Sequence, residues 1–337
     1  MMRAVLPIRT GDAMVGSMTE DRLIVYPDAD GDMAALLSGP RLARLEALGA
    51  FTVHRGRPED EADYLARIDG AAGLLLGWDL PAAVMAAATP PLEIVAFTGI
   101  GVGSFVDLGE AQALGVTVCN TPGYADNAVA EHALALLLAV ARQVPRLDRL
   151  LREGVWDQSH SGFELCGKTL GIVGYGGIGA RMAALGRALG MNLLIWTRHP
   201  AAHPGVDFTD LDDLLARSDV VSLHAAATAE TRHMLDGRKL DLMKSEAVLI
   251  NTARGDLVDE EALIARLADG RLAAAGLDVY GREPLGADHP LLALDNVVCT
   301  PHMGYSTPQA IAAILDLAID ALAGYFAGSP VNRVMPP

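Results

Sequence analysis

Cysteine, aromatic residues and basic residues are all scarce in this chain of 337 residues. The three cysteines (Cys119, Cys166 and Cys299) are widely spaced and form neither a CxxC pair nor a Cys/His ligand pattern, which argues against a disulfide framework and a metal site. Lysine and arginine number 26 against 42 acidic residues, and the net charge is −16. That balance argues against a nucleic-acid partner or an anionic membrane surface, although a few arginines can still bind a small anion.

Long hydrophobic runs are also lacking. The first twenty residues contain no apolar core of the length that a secretory signal needs, so we expect residues 1–20 to be a flexible extension, with Met18 as an alternative start. The run "ALALLLAVA" at 133–141 is too short to span a bilayer. We therefore expect a cytoplasmic protein that does not bind membranes, and its 51% hydrophobic content is enough for a full core.

Apolar strand-like segments alternate with helical segments along the whole chain. Examples are "RLIVYPD", "AAGLLLGW" and "LEIVAFTGIG" in the first part, and "TLGIVG", "VVSLHA" and "AVLINTA" in the second. Such alternation predicts an α/β fold with doubly wound parallel sheets. Asp126 and Asn127 are expected to cap a long apolar helix from about Ala128 to Arg142.

The segment "GYGGIG" at 174–179 has the spacing GxGxxG, and it lies between an apolar strand and an Ala/Leu-rich helix. In that context Gly174 permits a tight turn, Gly176 lets the backbone approach a pyrophosphate, and Gly179 allows close helix–sheet packing. The helix N-terminus would receive the negative charge of the pyrophosphate. The segment therefore predicts a dinucleotide-binding loop.

The end of the next strand indicates which dinucleotide is bound. An Asp or Glu there would accept hydrogen bonds from the ribose 2′-hydroxyl of NAD, but Thr197 holds that place. The neighbouring Arg198 could bind the 2′-phosphate of NADP through charge-assisted hydrogen bonds. NADP is therefore favoured over NAD. The alternative is that Arg198 is merely solvated and that selectivity is weak.

Three further stretches place chemically active residues just after predicted strands. Arg254 lies in "NTARGDLVDEEAL", Asp278 and Glu283 lie in "GLDVYGREPL", and His302 lies in "TPHMGYST". The carboxyl ends of parallel strands share one edge of the sheet, where such folds build their sites.

With these motifs in order, the chain resembles the D-isomer-specific 2-hydroxyacid dehydrogenase family over roughly Leu23 to Pro330. "NTPGYADNAVAEHALALLL" and "DVVSLHAAATAETRHML" also belong to the likeness. It implies that a Rossmann cofactor domain (123–304) is inserted in a flavodoxin-like substrate domain (21–122 and 305–337). It also implies a homodimer, with the long helix after Asn127 at the interface.

The resemblance also implies a role for each site residue. Arg254 would bind the substrate carboxylate, His302 would be the acid and base at the carbonyl oxygen, and Glu283 would orient His302 and favour its protonated form. Further cofactor contacts are expected from Gly177, Ile178, Ala225, Ala226, Thr231, Thr252, Ala253 and Asp278. The loop from Thr98 to Gly103 would present backbone N–H groups to the substrate, chiefly at Ile100, Gly101 and Val102.

The resemblance predicts reduction of a 2-keto acid to a D-2-hydroxy acid with NADP or NAD. Candidate keto acids are glyoxylate, hydroxypyruvate, pyruvate-like acids and 3-phosphohydroxypyruvate. A sensor that binds a dinucleotide without turnover, as in related corepressors, is the alternative, and formate or phosphite oxidation is a third possibility. Gly177 stands where relatives often carry arginine, so one pyrophosphate contact is expected to be absent. No C-terminal regulatory domain is expected.

Overall fold

The computed structural model describes residues 22–159, 161–200 and 206–336. The extension expected over residues 1–20 lies outside this range. The chain forms two compact units. The first contains the described residues up to Pro122 and those from Ala312 onward, and the second is Gly123–Ile311. The predicted cofactor domain ended at residue 304, whereas the second unit ends at Ile311. Its end lies inside the helix Pro308–Phe326, whose residues from Ala312 onward belong to the first unit.

The first unit contains a parallel sheet in the order β2-β1-β3-β4-β5, which is the flavodoxin-like order. Its described strands are β1 Leu23–Ala29, β2 Ala50–Arg55, β3 Ala71–Leu76, β4 Ile94–Phe97 and β5 Thr117–Cys119. The strands β1, β3 and β4 are almost continuously buried, because helices cover both faces of the sheet. The predicted α/β class and parallel sheet are confirmed here.

The helices of the first unit are α1 Gly31–Leu36, α2 Pro40–Glu46, α3 Glu61–Ile68, α4 Ala82–Ala87, α5 Leu108–Ala113 and the last helix, α12 Pro308–Phe326. Asp60 and Asp107 cap α3 and α5 by accepting hydrogen bonds from backbone N–H groups. Arg41 of α2 forms a two-point ion pair with Asp316 of α12, with N···O distances of 3.0 and 2.8 Å. This pair ties the last helix to the N-terminal part of the unit.

The second unit contains a parallel sheet in the order β11-β10-β9-β8-β6-β7. Its described strands are β6 Thr169–Val173, β7 Asn192–Trp196, β8 Val220–Leu223, β9 Val248–Asn251, β10 Ala274–Leu277 and β11 Val297–Cys299. The chain reverses its direction across the sheet at β6, with β7 on one side and β8 on the other. Ligands of such sheets bind at the carboxyl edge beside this switch point.

The helices of the second unit are α6 Asp126–Ala141, α7 Val144–Arg152, α8 Gly177–Ala188, α9 Leu211–Arg217, α10 Gly237–Leu240 and α11 Glu260–Ala268. The prediction that Asp126 and Asn127 cap α6 is wrong. Ala125 occupies the cap position without a side-chain hydrogen bond, and Asp126 is the first helical residue. The carboxylate of Asp126 lies instead against Gly177, at the start of α8.

Among the described helices, α12 is the single helix whose length and composition would suffice to cross a membrane, and the bent pair α6–α7 meets the same test only jointly. Ile314, Leu315, Ala318, Ile319 and Leu322 of α12 are nevertheless buried inside the protein. Core helices of globular proteins have this character, so the test is weak evidence for a membrane span.

Candidate active site

The loop between β6 and α8 has the geometry that its glycines predicted. Gly174 has φ +99°, and a Cβ atom there would lie 2.6 Å from the backbone of His224 and Ala225. A Cβ atom at Gly179 would overlap the carbonyl oxygen of Gly174. Gly176 is the extended residue that precedes the first turn of α8. Both the turn and the approach of helix to sheet therefore require glycine.

An acidic side chain also lies at this helix N-terminus. A Cβ atom at Gly177 would overlap the carboxylate of Asp126, so an arginine at position 177 would require Asp126 to move. The sequence predicted a backbone contact at Gly177 and the absence of the pyrophosphate contact that an arginine would make. The structure adds a negative charge beside the N–H groups that would bind the phosphates.

Two buried polar atoms at the carboxyl edge have no hydrogen-bond partner among the described residues: Oγ1 of Thr252 and Nδ1 of His224. His224 follows β8, next to the glycine loop, and Thr252 follows β9, the next strand on the same side. Burial lowers the pKa of His224 to about 4, and the ring is therefore neutral at pH 7. Orphaned buried polar groups beside a glycine cradle fit a polar ligand of dinucleotide type.

Arg198 forms a partly exposed ion pair. Its Nη1 donates to Oε2 of Glu230 at 3.0 Å and to Oγ1 of Thr228 at 3.2 Å. The sequence did not indicate the contact with Glu230, because 32 positions separate the two residues and no motif marks Glu230. Thr197 lies beside Arg198 just after β7, as expected.

The loop after β8 is held together by its own side chains. Oγ1 of Thr231 donates to the carbonyl oxygen of Ala226 at 2.7 Å and accepts from the N–H of Thr228 at 2.8 Å. Thr231 is buried, so its hydroxyl shapes this loop. Thr231 therefore supports this loop, and the cofactor contact expected there stays a prediction. The backbone of Ala225 lies beside Gly174 at the carboxyl edge.

A tight turn after β9 presents Arg254. The buried side chain of Asn251 accepts from the N–H of Ala253 at 3.0 Å and donates to the carbonyl oxygen of Arg254 at 2.9 Å. A Cβ atom at Gly255 would overlap the backbone of Tyr280, so the turn packs directly against the segment that carries Glu283. One guanidinium nitrogen bonds to Ala253, which leaves most of the donors of Arg254 for a ligand.

Glu283 and His302 form an acid–base pair, as expected. Nδ1 of His302 lies 2.7 Å from Oε2 of Glu283, and Oε1 of Glu283 accepts from the N–H of Tyr280 at 3.0 Å. Burial opposes the charge on Glu283, but the hydrogen bonds from His302 and Tyr280 outweigh it and lower the pKa of this carboxyl, with a further contribution from Arg254. The imidazole is thus held by an ionised partner.

The backbone of His302 is in the left-handed region, with φ +54°. A histidine adopts this conformation only when its surroundings impose it. Here the N–H of His302 donates to the carbonyl oxygen of Asp278 at 2.8 Å, and the carboxylate of Asp278 accepts from the N–H groups of Met303 and Gly304 at 2.9 and 2.8 Å. Asp278, predicted as a cofactor contact, therefore anchors the catalytic loop.

His132 of α6 belongs to the same cluster. Its Nε2 lies 2.9 Å from Oγ1 of Thr300 and 3.3 Å from Oδ1 of Asp278. Burial opposes the ionisation of Asp278, but hydrogen bonds from His132, Thr300 and the backbone lower the pKa of this carboxyl. The contacts of His132 show that it supports the loop that carries His302.

The predicted substrate loop of the first unit follows β4. Ile100 is exposed, but Val102 is 1% exposed and its N–H donates to the carbonyl oxygen of Ile100 at 3.0 Å. The amide of Val102 is thus used within the loop, and the substrate contact expected there stays a prediction. The N–H groups of Ile100 and Gly101 donate to no acceptor in the part of the chain that the structure describes.

The site contains a glycine loop next to buried polar atoms, a histidine bonded to a carboxylate, and an arginine. This combination is typical of a dinucleotide-dependent oxidoreductase. Comparison with known proteins supports this class and narrows it. Residues 134–304 match the family model described as "D-isomer specific 2-hydroxyacid dehydrogenase, NAD binding domain". A glyoxylate reductase of Thermofilum pendens is 36% identical over 90% of this chain and 91% of its own length.

Two other similarities are informative. A D-3-phosphoglycerate dehydrogenase of Archaeoglobus fulgidus is 39% identical over 72% of this chain, and the match spans 47% of that relative. A solved NADPH-dependent glyoxylate/hydroxypyruvate reductase of Sinorhizobium meliloti, in complex with NADP and malonate, superposes with a TM-score of 0.80 at 31% identity, covering 94% of this chain and 97% of the other. The chain belongs to the D-isomer-specific 2-hydroxyacid dehydrogenase family, whose cofactor is a nicotinamide dinucleotide.

Proposed function

We propose that this protein reduces a small 2-keto acid to the D-2-hydroxy acid, and catalyses the reverse reaction. The observation that carries the proposal is the bond of 2.7 Å between Glu283 and His302, on a histidine held in the left-handed region by Asp278. A protein that only senses a dinucleotide has no need of an oriented acid–base pair. A bound nicotinamide supplies or accepts the hydride.

His302 transfers one proton to or from the substrate, and Glu283 orients His302. With Nδ1 bonded to Glu283, Nε2 of His302 is the ring nitrogen that donates a proton to the carbonyl oxygen during reduction and takes it back during oxidation. Ionised Glu283 stabilises the imidazolium form. The guanidinium of Arg254 binds the substrate carboxylate in a two-point geometry that lysine could not supply.

Glyoxylate and hydroxypyruvate are the substrates that we propose first. The support is the naming of relatives that the chain covers well: a glyoxylate reductase over 91% of its length and a glyoxylate/hydroxypyruvate reductase over 97%. The phosphoglycerate dehydrogenase relative matches over about half of its own length, which makes 3-phosphohydroxypyruvate a weaker candidate.

NADP is the proposed preferred cofactor. Thr197 carries no charge that would repel a 2′-phosphate, and Arg198 lies beside it with a guanidinium that can bind one. Thr252 and the loop at Gly174 would hold the remainder of the dinucleotide.

A cytoplasmic homodimer is the proposed state of the protein. Leu151 and Trp156, in and just after α7, are 57% and 77% exposed, and Val144 and Val155 are exposed near them. Large apolar side chains exposed together indicate an interaction surface. A second copy of the chain that packs on α6 and α7 would cover them.

Initial rates test the proposed reaction most directly. We expect oxidation of NADPH, and more slowly of NADH, with glyoxylate or hydroxypyruvate. Replacing His302 by alanine should lower kcat by about 10²- to 10⁴-fold, because the proton donor is lost, while dinucleotide binding persists. Near-normal turnover of this variant would remove His302 from the mechanism. An Arg254→Ala variant with unchanged KM and kcat would remove Arg254.

A further inference from the structure

Arg198 and Glu230 join two loops that lie on opposite sides of the dinucleotide-binding strand. Arg198 follows β7 and Glu230 follows β8, while β6 lies between these two strands in the sheet. The side-chain pair of 3.0 Å therefore bridges the end of β6, where the glycine loop begins. In this class of fold the adenosine ribose lies at that position, beside the end of the strand that follows the glycine loop.

The loop that carries Glu230 is built to stay in place. Thr231 is 2% exposed and ties the loop to Ala226 and Thr228 through its hydroxyl. Thr228 in turn accepts from the same guanidinium nitrogen of Arg198 that Glu230 binds. The carboxylate of Glu230 is thus held near Arg198 by a rigid loop, even though its side chain is 79% exposed.

We infer that Glu230 determines how strongly the protein prefers NADP over NAD. This inference rests on the proposed function, and on the preference that Arg198 gives to a 2′-phosphate. Glu230 competes with the phosphate for Arg198 and repels the phosphate's negative charge. With NAD the same carboxylate can accept a hydrogen bond from the ribose hydroxyl, the contact that uncharged Thr197 cannot supply as strongly. Arg198 and Glu230 therefore act in opposite directions on selectivity.

The expected effect is moderate, because the pair is partly solvated. Replacing Glu230 by glutamine should tighten the binding of NADP⁺ by about two- to fivefold, within the range expected for exposed charges. The binding of NAD⁺ should be unchanged or weaker. The double variant Arg198→Gln/Glu230→Gln should lose most of this gain, since the phosphate then has no guanidinium to bind.

Calorimetric titration of NADP⁺ and NAD⁺ into the full-length protein tests the inference without relying on turnover. The matched control is Glu246→Gln, which removes the same charge from an exposed glutamate just before β9, at the opposite edge of the same sheet. We expect the ratio of the two Kd values to change in E230Q and not in E246Q.

Four results would overturn the inference. An unchanged ratio in E230Q, or an equal change in E246Q, would show that Glu230 has no specific part in selectivity, while the proposed reductase would stand. A gain that persists fully in the double variant would show that Arg198 is not involved. Failure of the unmodified protein to bind either dinucleotide would overturn the proposed function and this inference together.

Discussion

Replacing Glu283 by glutamine separates its electrostatic role from its shape. The carboxylate accepts two hydrogen bonds, from Nδ1 of His302 at 2.7 Å and from the N–H of Tyr280 at 3.0 Å. Glutamine has one oxygen and one NH₂ group at the same places. If its oxygen faces Tyr280, its NH₂ group faces His302 and favours the tautomer that lacks a proton on Nδ1. If its oxygen faces His302, two donors meet at Tyr280.

The size of the effect follows from the exposure of the pair. A charge-assisted hydrogen bond contributes about 1.5–3 kcal/mol, and the side chains of His302 and Glu283 are 37% and 35% exposed, so we discount this to about 1–2 kcal/mol. That range corresponds to about a five- to thirtyfold decrease in reductive kcat. Reduction takes a proton from His302, which Glu283 orients. The loss should therefore appear in kcat, while binding of the dinucleotide stays unchanged.

The assay is the steady-state rate of glyoxylate reduction at fixed pH and ionic strength, with the Kd of the dinucleotide measured on the same preparations. Glu261→Gln is the matched control, because Glu261 is an exposed glutamate on α11. We expect the kcat of the control to equal that of the unmodified protein. An unchanged kcat in E283Q would refute the role of Glu283 in orienting His302, and an equal decrease in E261Q would show that the effect is not specific to this pair.

Three further predictions concern other parts of the molecule. Burial raises the pKa of Asp28 from 3.8 to about 6, so its contribution to stability is full below about pH 4 and is lost as pH rises through 6. From pH 5 to pH 8, the stability of Asp28→Asn relative to the unmodified protein should therefore rise by roughly 1 kcal/mol in urea denaturation, and a constant difference would contradict this. Asp126→Asn should strengthen the binding of NAD⁺ and NADP⁺ alike by about threefold, because it removes a negative charge at the start of α8. Weaker binding of both dinucleotides would instead indicate that Asp126 orders the loop. Replacing Leu151 and Trp156 by aspartate should convert a dimer to monomers in light scattering, whereas an unchanged mass would exclude this surface as the interface.

Local patterns were enough to predict the sheet and most of the catalytic edge. A GxGxxG segment between a strand and a helix has few backbone conformations open to it, so its turn could be predicted. The carboxyl ends of parallel strands share one edge of the sheet, so Arg254, Glu283 and His302 were expected to lie together. Contacts between distant segments carry no such signal. The contact of Asp126 with Gly177 depends on how α6 packs beside α8, and the pairing of Arg198 with Glu230 depends on the reach of one side chain across β6.

The amide of Val102 shows a different limit. A loop after a strand can present its N–H groups outward or use them in a turn, and the residue types do not decide between these arrangements. Here the Val102 amide donates to the carbonyl oxygen of Ile100, and its side chain is buried at the start of a short 3-10 helix, Val102–Ser104. Family resemblance therefore predicts which loop faces the substrate, but it does not predict which of the loop's amides are used internally.

Asp278 and Glu283 lie near each other in sequence, but they differ in burial and therefore in role. Asp278 is 1% exposed, and its oxygens accept hydrogen bonds from Thr300, Met303 and Gly304. Removing it would leave several buried donors without a partner and would release the strained backbone of His302. Glu283 is partly exposed and bonds to the imidazole, so its loss should spare the loop and change the chemistry. Asp278→Asn should therefore lower stability and kcat together, whereas Glu283→Gln should lower kcat at nearly unchanged stability.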